Sequence, residues 1–296
     1  MAHFFSQTLA RPADLVVLAK PRITVMVALT SAAGFALASG PRVDLPGLAA
    51  TVAGTALLAA GASTLNQVVE RDVDRLMRRT ADRPLPSGRL DPDLALGYGA
   101  LLSLVGVFLL ALAVNALTAL IGAATLAGYV FLYTPLKRTS PLATVIGAVP
   151  GATPPMMGWT GARNEVELGA WVLFGVLFLW QLPHFLAISW LYRADYERAG
   201  MPMLAVLDPE GGQVARQAVL YSAALLPVSL MPSALGLAGG VYAAGAIALG
   251  LAFLGTSAAF ALARSPETAR RLLLVSVLYL PAIFAVLVLD RSGLAR

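Results

Sequence analysis

The sequence predicts an all-α fold, a polytopic membrane helical bundle, and three observations carry that prediction. Hydrophobic residues fill 58% of the 296 positions and charged residues only 12%, where a soluble domain carries about 25%. Mean hydropathy is +0.77. The apolar residues gather into nine stretches, near 17–38, 46–66, 94–114, 117–134, 142–160, 168–190, 217–236, 239–262 and 272–290, each close to the roughly 20 residues that a transmembrane helix needs. A cytosolic globular protein is excluded by the scarcity of charge. Disorder is excluded by the high apolar content and the modest net charge of +5.

Taken in order, the first stretch is too long for a cleaved signal peptide and carries Lys20 and Arg22 at its start, with no small-residue cleavage site. No Arg- and Ser-rich transit peptide precedes it, which favours a bacterial protein. The second stretch runs into a polar loop at about 67–93. The third and fourth are joined by a very short link around Asn115. The later stretches contain Pro150, Pro154, Pro155, Pro183, Pro227, Pro232 and Pro281, which predict kinks that neighbouring helices can satisfy. A second polar loop, about 191–216, follows the sixth stretch. The two loops lie four helices apart and each starts with acidic residues at a helix end. That pattern predicts two four-helix halves plus a ninth helix, within one domain spanning 1–296.

Orientation follows from the basic residues, which mark the cytoplasmic side. Nine spans put 17 of the 21 Lys and Arg residues on the side shared by the N-terminus and the two polar loops, together with 12 acidic residues. The opposite side, which includes Arg42, Arg163, Arg291 and Arg296, holds four of each sign. The expectation is a bacterial cytoplasmic (inner) membrane, with the N-terminus cytoplasmic and the C-terminus outside. The whole net charge then belongs to the cytoplasmic face.

Several chemistries are removed at once. There are no cysteines, hence no disulfide, zinc–thiolate site, iron–sulfur cluster or thiol nucleophile. The two histidines, His3 and His184, leave no multi-histidine metal centre.

The informative residues begin where the second span meets its loop. Asn66, Glu70 and Asp74 recur at i, i+4 and i+8, so on a helix they form one slanted stripe about 12 Å long. Such a stripe of oxygen ligands suits Mg²⁺, which takes one or two carboxylates plus substrate phosphate oxygens. A charged helix end pairing with Arg71, Arg75 and Arg78 is the plainer alternative. Against it, Asn66 and Glu70 continue an apolar span, where polar groups are costly and usually functional. The next stretch carries Arg79, Arg83 and Arg89, forks that bind phosphate oxygens bidentately and cannot lose their charge. Carboxylates beside arginines make sense if a polyanion bridged by Mg²⁺ lies between them.

Three further stretches suit the same substrate. Lys20-Pro21-Arg22 opens the first span, and Tyr133-Thr-Pro-Leu-Lys137-Arg138 closes the fourth; each also reads as an orientation signal. The third runs from Trp180-Gln181-Leu-Pro183-His184-Phe185 to Tyr192-Arg193-Ala-Asp195-Tyr196. His184 and Asp195 are 11 residues apart, about three helical turns, and share a face if that helix continues. Asp195 would then be a metal ligand from the second half.

Together these motifs resemble the protoheme IX farnesyltransferases (heme O synthases), within the UbiA-type membrane prenyltransferases. The resemblance rests on Asn66-x3-Glu70-x3-Asp74-x2-Met77-x-Arg79-Thr80-x2-Arg83-Pro84, on Lys20-Pro21-Arg22, Tyr133 to Arg138, Pro154-Pro155-x2-Gly158-Trp159, Trp180 to Phe185, and Asp195-Tyr196-x2-Ala199-Gly200. The matches run in order from about 20 to 205. The last third carries none. Glu70 replaces a superfamily Asp, and the second acidic motif keeps only Asp195.

The resemblance implies farnesyl diphosphate and heme B as substrates, with heme B a substrate and not a prosthetic group. It implies Mg²⁺ held by Asn66, Glu70, Asp74 and Asp195, with Arg79 and Arg83 as catalytic clamps. Lys20, Arg22, Tyr133, Lys137, Arg138, His184 and Arg193 form the expected substrate-binding set. The heme vinyl group would attack farnesyl C1 and water would add, leaving heme O and diphosphate. The implied surroundings are the lipid bilayer and a heme-receiving partner such as a heme A synthase, with no nucleic acid. Two other readings stand beside it: a UbiA-type transferase with an aromatic or quinone-precursor acceptor, and a secondary transporter with midplane charges.

Overall fold

A computed structural model describes residues 11–39 and 42–291; His3 and Arg296 lie outside them. In chain order the helices are α1 Pro12–Leu18, α2 Pro21–Ala38, α3 Leu45–Asp74, α4 Pro92–Ala113, α5 Ala116–Ala127, α6 Thr134–Leu136, α7 Ala143–Ala152, α8 Pro154–Arg163, α9 Leu168–Leu191, α10 Arg193–Arg198, α11 Leu204–Leu207, α12 Gly212–Ala234, α13 Gly240–Ala263 and α14 Pro266–Leu289. A wide π turn, Gly128–Tyr133, joins α5 to α6, so Ala116–Leu136 acts as one span.

Among the described residues, eight helices are long and apolar enough to cross a membrane. The fifth expected span, near 142–160, is instead two half-helices, α7 and α8, broken at Thr153. The reason is local. Pro154 and Pro155 have no N–H, so the carbonyls one turn earlier lose their helical donors. The Thr153 hydroxyl donates to the Pro150 carbonyl at 2.9 Å in place of the missing N–H. The other expected kink sites, Pro183, Pro227, Pro232 and Pro281, lie inside uninterrupted helices.

The helix ends follow ordinary capping chemistry. Asp91 accepts from the backbone N–H of Asp93 and Leu94 at the start of α4. Asn115 caps α5 through Thr118 N–H, which explains how so short a link suffices between two spans. Ser265 and Thr268 form a capping box on α14. The expected polar loop at 67–93 begins later than the hydropathy suggests, because α3 stays helical to Asp74.

The bundle closes on itself around a central cavity. α3 packs on α2 and α4, α9 on α7, α12 and α14, and α14 returns to touch α2. The tightest crossing joins α2 to α8, where a β-carbon at Gly34 would collide with the Pro155 carbonyl and one at Gly158 with the Ser31 carbonyl. The main apolar core lies in the second half, with Leu225, Phe253, Phe260, Leu272 and Ile283 buried among α9, α12, α13 and α14.

Candidate active site

Asn66, Glu70 and Asp74 follow one another along the last turns of α3 and are 2%, 5% and 1% exposed. All three line a cavity of about 820 Å³. Two cations from elsewhere in the chain meet them. Lys137 Nζ lies 2.8 Å from Glu70 Oε1, and Arg83 Nη1 lies 2.7 Å from Asp74 Oδ2. Asn66 Nδ2 donates to Thr134 Oγ1 at 3.1 Å, leaving the amide oxygen outside that bond. Removing one partner of such a buried pair leaves an uncompensated charge, at a cost of about 3–5 kcal/mol.

The chain is folded locally to bring these cations in. After α3 the Thr80 hydroxyl donates back to the Asp74 carbonyl at 2.6 Å. Arg75 Nε donates to the Pro86 carbonyl at 3.0 Å. Leu85 and Leu90 bury against Leu18 and Ala95, which fixes the turn that carries Arg83. On the other wall, the Thr134 hydroxyl reaches five residues back to the Tyr129 carbonyl at 2.8 Å, within the wide π turn; such turns often mark functional sites. The Tyr129 and Tyr133 ring centroids are 5.1 Å apart, and Lys137 Nζ stands 4.5 Å from the Tyr133 ring centroid. Desolvation lowers the Lys137 pKa, but Tyr133, Glu70 and Tyr129 outweigh it, and the ammonium is held above its ordinary value.

Lys20 joins the same end of the cavity from the corner between α1 and α2. It adopts a left-handed backbone conformation, φ 46°, which non-glycine residues use rarely. Desolvation, followed by the charges of Arg83 and Lys137, pushes its pKa down to about 8. Lys20, Arg83 and Lys137 thus gather around Glu70, Asp74 and the Asn66 amide, and one of those three bases, Lys20, is poorly stabilised as a cation.

The second acidic segment is arranged differently. α9 stops at Leu191 and Tyr192 breaks the helix before α10, so the face shared by His184 and Asp195 does not form. Asp195 Oδ1 accepts from the Arg78 backbone N–H at 3.2 Å and from Arg198 Nη1 at 2.8 Å, and Oδ2 accepts from the Arg79 N–H at 3.4 Å. Desolvation opposes its ionisation, but the bonds from Arg198, Arg78 and Arg79 prevail and hold the carboxyl below its ordinary pKa. Asp195 braces the back of the first loop and is not among the residues that line the cavity with Asn66, Glu70 and Asp74. Among the described residues no three His, Cys, Asp or Glu side chains cluster as a metal site. The donor set on the cavity is Asn66, Glu70 and Asp74, which still suits Mg²⁺ with its preference for one or two carboxylates.

Of the remaining expected residues, Arg79 and Arg22 line the cavity. The Arg79 guanidinium lies 5.1 Å from each of the Tyr192 and Tyr196 ring centroids and donates to the Tyr196 hydroxyl at 2.7 Å. Arg138 and Arg193 are not part of the wall. Arg138 donates to the Val69 carbonyl at 2.8 Å. Arg193 donates to the Pro209 carbonyl at 2.8 Å and lies over the Trp190 ring.

Away from the charges the cavity is mainly apolar, walled by Met26, Leu58, Leu126, Met157 and Leu280, with scattered hydroxyls such as those of Thr30, Thr55 and Thr125. His184 also lines it. Three wall residues escaped the sequence reading as site members. Gln67 Nε2 donates to the Leu18 carbonyl at 2.8 Å and ties α3 to α1. Gln181 Nε2 donates to the Ala148 carbonyl at 2.8 Å beside the broken helix. Tyr129 stands one turn before Tyr133. The available signal was position: Gln67 adjoins Asn66, and Tyr129 precedes Tyr133 by four.

A ring of apolar helices around a cavity charged at one end and oily along its length defines a membrane-embedded enzyme for a substrate with a polyanionic head and a hydrocarbon tail. The UbiA prenyltransferase family matches residues 27–282. A protoheme IX farnesyltransferase of Solibacter usitatus is 48% identical over 95% of this chain and 99% of that protein. Among solved structures, a digeranylgeranylglyceryl phosphate synthase superposes with a TM-score of 0.79 at 15% identity, covering 96% of this chain and 99% of that one. A UbiA homolog from Archaeoglobus fulgidus bound to GPP and Mg²⁺ superposes with a TM-score of 0.67 at 19% identity, covering 93% and 99%. The chain belongs to the UbiA prenyltransferase family and, within it, to the protoheme IX farnesyltransferases.

Proposed function

We propose that the protein transfers the farnesyl group of farnesyl diphosphate to a vinyl group of heme B, with addition of water, giving heme O and diphosphate. The observation that supports this most is the cavity itself. Asn66, Glu70, Asp74, Lys20, Arg83 and Lys137 crowd one end, and that end opens directly onto an apolar wall. The diphosphate belongs at the charged end and the farnesyl chain along the wall.

Asn66, Glu70 and Asp74 would hold Mg²⁺, which when bound neutralises charge developing on the leaving diphosphate. Arg83, Lys137 and Lys20 add fixed positive charge at the same place, where each well-placed contact lowers the barrier by about 3–4 kcal/mol. Arg79 approaches from the Tyr192–Tyr196 side. As the C1–O bond breaks, the electron pair leaves with diphosphate. The vinyl carbon then forms the bond to C1. The resulting cation takes a hydroxyl from water, which releases a proton. The apolar wall keeps other water away from the allylic carbon until the acceptor is in place. Asp195 acts through the loop it braces, holding the Arg78–Arg79 turn.

The clustering of Glu70, Asp74, Arg83 and Lys137 at the end of α3 favours a transferase over a transporter with charges midway along its spans. With the basic face on the cytoplasmic side of a bacterial inner membrane, the N-terminus would be cytoplasmic and the C-terminus outside, and a heme A synthase would be a fitting recipient of the product. Purified protein supplied with farnesyl diphosphate, heme B and Mg²⁺ should release diphosphate and a heme of heme O mass. Prenylation of 4-hydroxybenzoate with no heme O would overturn the heme assignment, and flux through proteoliposomes without product would overturn the enzyme.

A further inference from the structure

His184 lies inside α9 and lines the cavity, and its ring is held from three directions. The Trp180 ring stacks on it at 5.1 Å between centroids and the Phe185 ring meets it edge-on at 5.6 Å. Its Nδ1 is 2.7 Å from the hydroxyl of Ser276 on α14. Trp180 is itself fixed, because its Nε1 donates to the Ser276 carbonyl at 2.7 Å. One serine on the closing helix thus anchors both rings.

The hydroxyl of Ser276 has a single proton and two neighbours within reach, His184 Nδ1 and the Leu273 carbonyl. Ser276 Oγ donates to the Leu273 carbonyl one turn back at 2.6 Å, a carbonyl that cannot donate in return. With the proton on that bond, the serine oxygen accepts from His184. In this tautomer Nδ1 carries the ring proton, and Nε2 carries the lone pair. Among the described residues Nε2 has no hydrogen-bond partner. A neutral imidazole with one nitrogen donating to a fixed acceptor and the other bare is the arrangement that metal-ligating histidines adopt.

We propose that His184 Nε2 is an axial ligand to the iron of the heme substrate, with Ser276 as the positioning residue that sets its tautomer. This rests on the heme reading above. The protein would grip its acceptor by the metal, at a point on the wall distinct from the diphosphate end. The macrocycle periphery, with its vinyl groups, then extends from a fixed centre into the rest of the cavity. Neither Asp nor Glu need face the iron, and Trp180 and Phe185 supply flat apolar surface beside the ring.

The test is spectroscopic and needs no turnover. Ferrous heme B is added to the purified full-length protein in lipid nanodiscs, and visible absorption and the iron–histidine stretch in resonance Raman spectra are recorded. Wild type should give a histidine-ligated spectrum. His184→Ala should lose the iron–histidine band, and His184→Gly should regain imidazole ligation when free imidazole is added. Ser276→Ala should keep the band at a shifted frequency and bind heme about 10–100-fold more weakly, with Ser276→Thr restoring it. Farnesyl diphosphate binding, measured on the same samples, establishes that each variant is folded. An unchanged iron–histidine band in His184→Ala overturns the ligand assignment while leaving heme as the acceptor. Failure of wild type to bind heme B at all, with farnesyl diphosphate binding intact, overturns both.

Discussion

Two polar segments of this protein look alike in composition and do different work. Residues 66–83 and 191–203 each carry acids, arginines and a helix end. In the first, Glu70 and Asp74 lie on a continuous helix and face the cavity, each meeting a cation brought from outside that helix. In the second, the helix breaks at Tyr192, and Asp195 turns away to accept backbone N–H groups from the first segment. Continuity of the helix decides which acids can share a stripe. Where it is broken, an acid becomes a brace for the other half.

The largest effect should come from the first segment. Asp74→Asn and Glu70→Gln should each lower kcat/KM by about 10²–10³-fold, with insertion into the membrane unchanged by fractionation. Near-normal rates in both would dissolve the contrast between the segments. Next, Asp195→Asn should lower kcat/KM by about tenfold, the low end for a residue that supports a site through hydrogen bonds. The loss should be reproduced by Arg198→Ala, which removes the same carboxylate's partner.

A pH profile sharpens the first region further. Lys20 has its pKa pushed down to about 8 by burial and by Arg83 and Lys137. It is cationic below that pH and neutral above it, so affinity for a diphosphate should fall as pH rises through about 8. Binding the anion should draw a proton onto the protein near that pH, measurable as buffer-dependent heat in calorimetry. Lys20→Arg should remove the pH dependence, since guanidinium stays charged. The smallest effects belong to Arg138→Ala and Arg193→Ala, whose side chains donate to carbonyls outside the cavity. Each should change activity by less than about 1 kcal/mol in barrier height; a large loss at either would mean the anion reaches past the cavity wall.

The parts of this arrangement that sequence made legible are those set by spacing within one element. Asn66, Glu70 and Asp74 follow from a step of four on a helix. The spans follow from apolar length. Hidden were the features that depend on distant segments meeting: Lys137 landing on Glu70, the serine of α14 under His184, and Asp195 reaching across to Arg78. The broken helix at Thr153 was half visible. The adjacent prolines announced a disturbance, but whether a proline kinks, breaks or is absorbed depends on local donors, and Thr153 supplies one where Pro183 and Pro281 remain inside intact helices. The π turn at Gly128–Tyr133 left no pattern in the sequence, because one extra residue in a turn costs little and is fixed by what Thr134 can reach.

The contrast between the two segments is tested most directly by Mg²⁺ activation curves for Asp74→Asn and Asp195→Asn, measured side by side with saturating farnesyl diphosphate and heme B. If Asp74 faces the cation and Asp195 only braces the loop, the half-activating Mg²⁺ concentration rises at least about 10-fold in Asp74→Asn and stays at the wild-type value in Asp195→Asn, which loses only rate. Equal shifts in both variants would place Asp195 among the metal ligands and contradict the account.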